Sequence, residues 1–182
     1  MSQTRESLFH LAESRMELQG AHVLDLFAGT GALGLEAISR GAESCTFVEQ
    51  SGKVLKYARL NAEEFGVEDQ CVFIRADVVT YLKKYRGPAF DLIVADPPYD
   101  FEAMKDLPRL ALPHVAPTGL FILEHDRRIF FDGHPNLDTS RPYGRTFVSV
   151  FLPSAEPASE DPTPTSAEHD GHTVEISSDD SV

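Results

Sequence analysis

Residues 22–34 read as a strand that empties through a glycine turn into a helix. The apolar run His22 to Phe27 meets Gly29-Thr30-Gly31-Ala32-Leu33-Gly34, and Leu33, Ala37 and Ile38 then recur at helical spacing. In that context a G-x-G-x-x-G turn lets a ligand approach the backbone while the helix packs closely on its strand. The alternation continues. Ser44 to Val48, Cys71 to Ile74, Phe90 to Ala95 and Leu120 to Glu124 read as further strands. Lys53 to Phe65, Val78 to Tyr85 and Glu102 to Leu112 read as the helices between them, and Ser7 to Met16 as a leading amphipathic helix. Two last strands are expected around Leu137 and at Phe147 to Leu152. Strands separated by helices pair in parallel, with helices on both faces, so the fold class is α/β. Such sheets bind ligands beyond the carboxyl ends of their strands.

The final segment, Ser154 to Val182, is built differently. It is Pro, Ser, Thr, Asp and Glu with few large apolar side chains, and it carries eight of the chain's 29 acidic residues and none of its 16 Lys and Arg. Such a composition does not offset the entropy of ordering, so residues 1–153 form the expected domain and 154–182 a disordered acidic tail. The net charge of −13 therefore overstates the acidity of the body, which is near −5. Nucleic-acid binding is not advertised by overall charge. No run of eighteen apolar residues is present and no apolar signal stretch opens the chain, so no membrane span and a cytoplasmic location are expected. Cys45 and Cys71 lack C-x-x-C spacing and read as reduced thiols in strands; no metal site is expected, and His169 and His172 read as tail residues.

The glycine loop alone suits NAD as well as S-adenosylmethionine. Glu49, at the end of the second strand and twenty residues after Gly29, is placed to hold a ribose diol. Asp25 separates the two cofactors. A carboxylate beside the loop repels a pyrophosphate and attracts the ammonium and sulfonium of S-adenosylmethionine. Asp77, ahead of Val78, reads equally as an acceptor for the adenine amine and as a helix N-cap.

Asp96-Pro97-Pro98-Tyr99 follows the strand Phe90 to Ala95. Two prolines stiffen the strand exit and leave carbonyls free to accept. The lone pair of an aryl amine such as guanine N2 is delocalised into its ring. Acceptors from Asp96 and the Pro97 carbonyl can take its two N–H groups and favour a pyramidal nitrogen aimed at a methyl donor. Tyr99 is suited to stack on the base.

Asp25 to Ala37 with Ser39-Arg40-Gly41-Ala42 resembles the bacterial small-subunit rRNA guanine-N2 methyltransferase family, and Asp96 to Tyr99 is similar to its catalytic loop. Thr4 to Phe9 resembles its leading helix and Tyr143-Gly144-Arg145-Thr146 its final-strand motif; nearly all of Thr4 to Leu152 is covered. The resemblance implies a Rossmann-like class I methyltransferase with a seven-stranded, mostly parallel sheet. It implies S-adenosylmethionine contacts at Asp25, Phe27, Gly29, Gly31, Glu49, Asp77 and Val78. It implies amine recognition at Asp96, Pro97 and Tyr99, with Pro98 against the substrate. His10 departs from the family's usual Asn, and members usually carry a basic hairpin ahead of the leading helix.

Small-subunit rRNA in a partly assembled particle is the implied partner, met by a monomer. Arg5, Arg127, Arg128, Arg141 and Arg145 are candidate phosphate contacts, each equally readable as solvated surface charge. His125 reads as a capping or surface histidine. Two rival readings stand beside the first: the same chemistry on adenine N6 of DNA or a protein glutamine, and a degenerate fold that only binds.

Overall fold

The computed structural model describes residues 3–153; the acidic tail with His169 and His172 lies outside them. The chain forms α1 (Gln3–Glu13), β1 (His22–Leu26), α2 (Ala32–Ser39), β2 (Ser44–Glu49), α3 (Gly52–Phe65), β3 (Cys71–Arg75), α4 (Val78–Lys84), β4 (Phe90–Ala95), α5 (Leu107–Ala111), β5 (Val115–Asp126), β6 (Leu137–Tyr143) and β7 (Thr146–Phe151). Short 3-10 turns flank α5 and precede β3. The seven strands make one sheet in the order β3-β2-β1-β4-β5-β7-β6. Its first five strands run parallel, and β7 enters antiparallel between β5 and β6. No helix among the described residues is long and apolar enough to cross a membrane.

A sheet covered on both faces needs strands apolar on both sides, and its inner strands largely are, whereas β3 and β6 at its edges bury no residue fully. Val23, Phe47, Leu92, Val94, Ile122, Val148 and Val150 pack with Leu8 and Phe9 of α1, Leu35 and Ile38 of α2, and Leu55 and Ala58 of α3. Their neighbours Leu24, Leu26, Val48, Ile93, Ala95, Phe121 and Phe151 pack on the other side with Val78 and Leu82 of α4 and Leu107 of α5. The period of two assigns each strand residue to one layer.

Three departures from the sequence reading have local causes. The helix expected over Glu102 to Leu112 is only Leu107–Ala111 because Pro108 opens it and Pro113 follows it. β5 starts at Val115, earlier than Leu120, because Val115 already pairs with Phe90 ahead of a register shift. α1 begins at Gln3 and ends at Glu13, earlier at both ends than the apolar pattern of Ser7 to Met16; its first turn is polar and carries no apolar signal.

Candidate active site

The strand β1 stops abruptly at the glycine turn. Phe27 is the one described non-glycine residue with positive φ, 59°, and Gly29 and Gly31 follow at 56° and 84°. Left-handed backbone at a phenylalanine costs about 1–3 kcal/mol and persists only where surroundings fix it. Here Ala28 N–H donates to the Val48 carbonyl at 3.1 Å and Gly31 N–H to the Ala28 carbonyl at 2.7 Å. The strain throws the Phe27 ring over the sheet edge, edge-on to Phe101 at 4.8 Å between centroids.

That edge carries a cavity of about 480 Å³ lined by Phe27, Glu49, Gln50, Asp77, Val78, Asp96, Pro98 and Phe101. Six of these side chains are expected from the sequence, and they come from the exits of β1, β2, β3 and β4. Phe27, at the head of the glycine turn, thus shares one cleft with Asp96 and Pro98 of the Asp-Pro-Pro-Tyr loop. Three carboxyl groups and no Lys or Arg line it. This donor set attracts a cation and repels a pyrophosphate, so it fits S-adenosylmethionine better than NAD.

Two of the three acids are held by the backbone. Glu49 accepts from Ser51 N–H at 2.8 Å through Oε1 and from Gly29 N–H at 3.2 Å through Oε2. A carboxylate offers about four lone-pair sites, so both oxygens retain capacity for a ribose diol. Asp77 caps α4, with Thr80 N–H donating to its Oδ1 at 2.8 Å, and lines the cavity as well. The two readings of Asp77 coexist. Asp96 opens to solvent at the mouth, yet desolvation by the surrounding walls pushes its carboxyl above the usual range. Pro97 beside it is buried, Pro98 accepts from Phe101 N–H at 3.0 Å and so folds the loop back, and Tyr99 is 64% exposed beyond the mouth.

Asp25 is elsewhere. It is 1% exposed, and its Oδ2 accepts from Gly34 N–H of α2 at 2.8 Å. Val23 and Asp25 share the α1–α3 side of β1, whereas the ring of Phe27 joins the opposite layer, so Asp25 does not line the cleft. Burial pushes its carboxyl up to about 7, with Asp96 and Glu49 adding repulsion and the Gly34 N–H opposing it. Gly29 and Gly31 shape the turn without lining the cavity. A Cβ on Gly31 would meet Ala58, Leu35 and Phe47 at 3.2–3.3 Å.

The arginines divide. Arg5 lies 3.9 Å from Glu36 and lines a separate cavity of about 720 Å³ between α2 and α3. Arg127, Arg141 and Arg145 are exposed. Arg128 is bound to Asp126 through Nε at 2.8 Å and through its backbone N–H at 2.7 Å. The Thr146–Asp126 pairing brings the Arg145 turn to the exit of β5, where Arg127 lies. His125 is neither cap nor surface residue. It is 2% exposed, its Nε2 is 2.8 Å from Ser149 Oγ, and its ring stacks on Phe147. Cys45 is buried and Cys71 half-buried, and both are free thiols.

Three site residues escaped the sequence reading: Gln50, Phe101 and Glu124. Phe101 sits in a loop without periodicity. Glu124 follows Leu123, which pairs with Ala95, so it lies in β5 beside Asp96. Burial and the charge of Asp96 push Glu124 up to about 7. Its place at the end of the apolar run Leu120 to Leu123 was a readable signal.

Residues 1–152 match the family described as Conserved hypothetical protein 95. The "Putative rRNA methyltransferase YlbH" of Bacillus subtilis is 30% identical over 154 residues, covering 81% of this chain and 83% of that protein. The "Ribosomal RNA small subunit methyltransferase D" of Buchnera aphidicola subsp. Acyrthosiphon pisum is 37% identical over 98 residues, 54% of this chain and 50% of the relative. A relative named for the large subunit, "Ribosomal RNA large subunit methyltransferase I" of Aeromonas hydrophila, is 36% identical, and the match spans 30% of it. The chain thus spans most of the Bacillus protein but half or less of the other two. Among solved structures, "Putative methyltransferase yhhF from Escherichia coli" superposes with a TM-score of 0.75 at 23% identity, covering 86% of this chain and 88% of that one.

Proposed function

Because the chain belongs to the Conserved hypothetical protein 95 family and resembles proteins that carry the names of rRNA methyltransferases, we propose that it transfers a methyl group from S-adenosylmethionine to the exocyclic N2 of a guanine in small-subunit rRNA. The observation that carries this reading is the cleft in which Phe27, at the head of the glycine turn, meets Asp96 and Pro98, walled by three acids and no Lys or Arg. The Buchnera relative's name supports the small subunit as target. The partner is rRNA within a ribosomal particle, met by a monomer.

When bound, S-adenosylmethionine supplies an electrophilic methyl on a positively charged sulfur. The protein's own residues do the rest. Glu49 takes the ribose diol, Asp77 the adenine amine, and Phe27, Val78 and Phe101 enclose the adenine. Asp96 and the Pro97 carbonyl accept the two amine protons of the base and turn its lone pair toward the donor. The methyl would pass to that nitrogen with the C–S electron pair left on the donor's sulfur. The proton then released from nitrogen goes to Asp96 or to solvent. Tyr99, exposed beyond the mouth, stacks on the base, and Arg127 and Arg145 meet phosphate. Asp25 acts from behind the loop, anchoring α2 beneath the glycine turn. The base must be unpaired or flipped to enter.

The test is parallel transfer of labelled methyl to unmodified small subunits, naked rRNA and DNA, with the modified nucleoside identified. N2-methylguanosine in the small-subunit RNA is expected. N6-methyladenine, or no product from any substrate, defeats the proposal.

A further inference from the structure

Asp96 has a second acidic neighbour. Ala95 of β4 and Leu123 of β5 are parallel partners, so Asp96, just past the end of β4, and Glu124, still within β5, stand side by side. β5 lies on the side of β4 away from β1, and Glu124 is not among the residues lining the cofactor cleft, whereas Asp96 is. Glu124 is half-buried, and its pairing with Val148 fixes its backbone against β7. Among the described residues neither acid forms an ion pair with Lys or Arg. Two neighbouring carboxyl groups without a cation repel each other, and each has its charge disfavoured by burial. A ligand that offers hydrogen-bond donors to both relieves that cost.

Guanine does so. Its Watson–Crick edge places an N1–H donor directly beside the two N2–H donors. Adenine places an N1 lone pair beside its amine, which a carboxylate repels. We infer that Glu124 determines specificity at the acceptor position: its carboxylate accepts guanine N1–H while Asp96 and the Pro97 carbonyl hold N2. The inference rests on the function proposed above. Asp96 serves the reacting nitrogen, and Glu124 reads the atom that tells guanine from other purines carrying a 2-amino group.

2-Aminopurine isolates this contact, because it keeps the 2-amino group and replaces the N1–H donor with a lone pair. The modified position is first mapped with the wild-type chain. The accepted RNA is then rebuilt with guanine or 2-aminopurine at that position, and single-turnover kcat/KM is measured for wild type, Glu124→Ala and Glu124→Gln. Wild type is expected to prefer guanine by roughly 10- to 100-fold, the worth of one hydrogen bond to a charged group. In Glu124→Ala the preference collapses through loss on guanine, while the melting shift caused by S-adenosylhomocysteine is unchanged. Glu124→Gln, which keeps the shape and one acceptor, falls between and serves as the readout should the alanine variant fail to fold. An unchanged preference overturns the inference, and so does an equal loss on both purines, which marks a merely structural residue. Absence of N2-methylguanosine from the wild type overturns the proposed function itself, and is seen before any variant is made.

Discussion

Asp25 and Asp96 carry the same functional group and have different work. Asp96 stands at the mouth of the cleft, where truncation removes an acceptor and little else. Asp96→Ala is expected to lower kcat by about 10²–10³, the usual worth of one well-placed polar group acting on the transition state. S-adenosylhomocysteine should bind it as before; undiminished turnover refutes the role given to Asp96. Asp25 is a buried acid whose folded value, about 7, lies well above its ordinary 3.8. The folded chain keeps that proton where the unfolded chain has released it. Its contribution to stability is therefore full below about pH 4 and declines as the pH rises to about 7. Asp25→Asn keeps an acceptor for Gly34 N–H and has no proton to lose. At pH 8 it should be more stable than wild type, by up to about 4 kcal/mol at about 1.36 kcal/mol per unit, with little difference at pH 4. Denaturant melts at the two pH values check this, and parallel pH profiles in the two proteins would falsify it. The sequence showed both acids near the carboxyl ends of their strands. It did not show which face Asp25 takes, because spacing places a residue along a strand while layer membership depends on register with the neighbours.

At the scale of elements, the glycine turn was the most legible part of the chain and α5 the least. The turn is dictated locally, by residues that alone tolerate its backbone. The segment around α5 is governed by Pro108 and Pro113, whose effect on a helical pattern is visible only when their exact positions in the turn are known. Glu124 was missed for a related reason: its relation to Asp96 belongs to the pairing of β4 with β5, not to either strand alone. Gly34 shows how tightly α2 is set on the sheet. A Cβ there would land on the Phe47 ring and the Cys45 sulfur, both buried. Gly34→Ala should cost about 1–3 kcal/mol by overpacking and displace the amide that Asp25 holds. A melting temperature within one degree of wild type is the contrary result. Asp77→Ala should lose about 1 kcal/mol of stability with its cap and also weaken S-adenosylhomocysteine binding; a loss of stability with unaltered binding dismisses its second role.

For the molecule as a whole, the acidity of the cleft makes a claim that thermal melting tests directly. S-adenosylhomocysteine at one hundred times its Kd should stabilise the fold by about 2.7 kcal/mol, while NAD at equal concentration does nothing. The reverse pattern removes the cofactor from the proposal. The parallel, doubly covered sheet was legible because strands alternate with helices, its count of seven came from the family resemblance, and the order of its strands was not read from the sequence.

The sheet order also bears on how the chain comes to be folded. Leu8 and Phe9 of α1 lie in one cluster with Val148 and Val150 of β7, far later in the sequence, and β7 fills the gap between β5 and β6. A chain emerging from its own synthesis therefore carries a greasy leading segment and an unzipped β5 margin until residue 151 is in hand. Assembly of this protein is settled at its end, and any stop codon before Thr146 should leave a product fit for proteolysis, not a shorter enzyme.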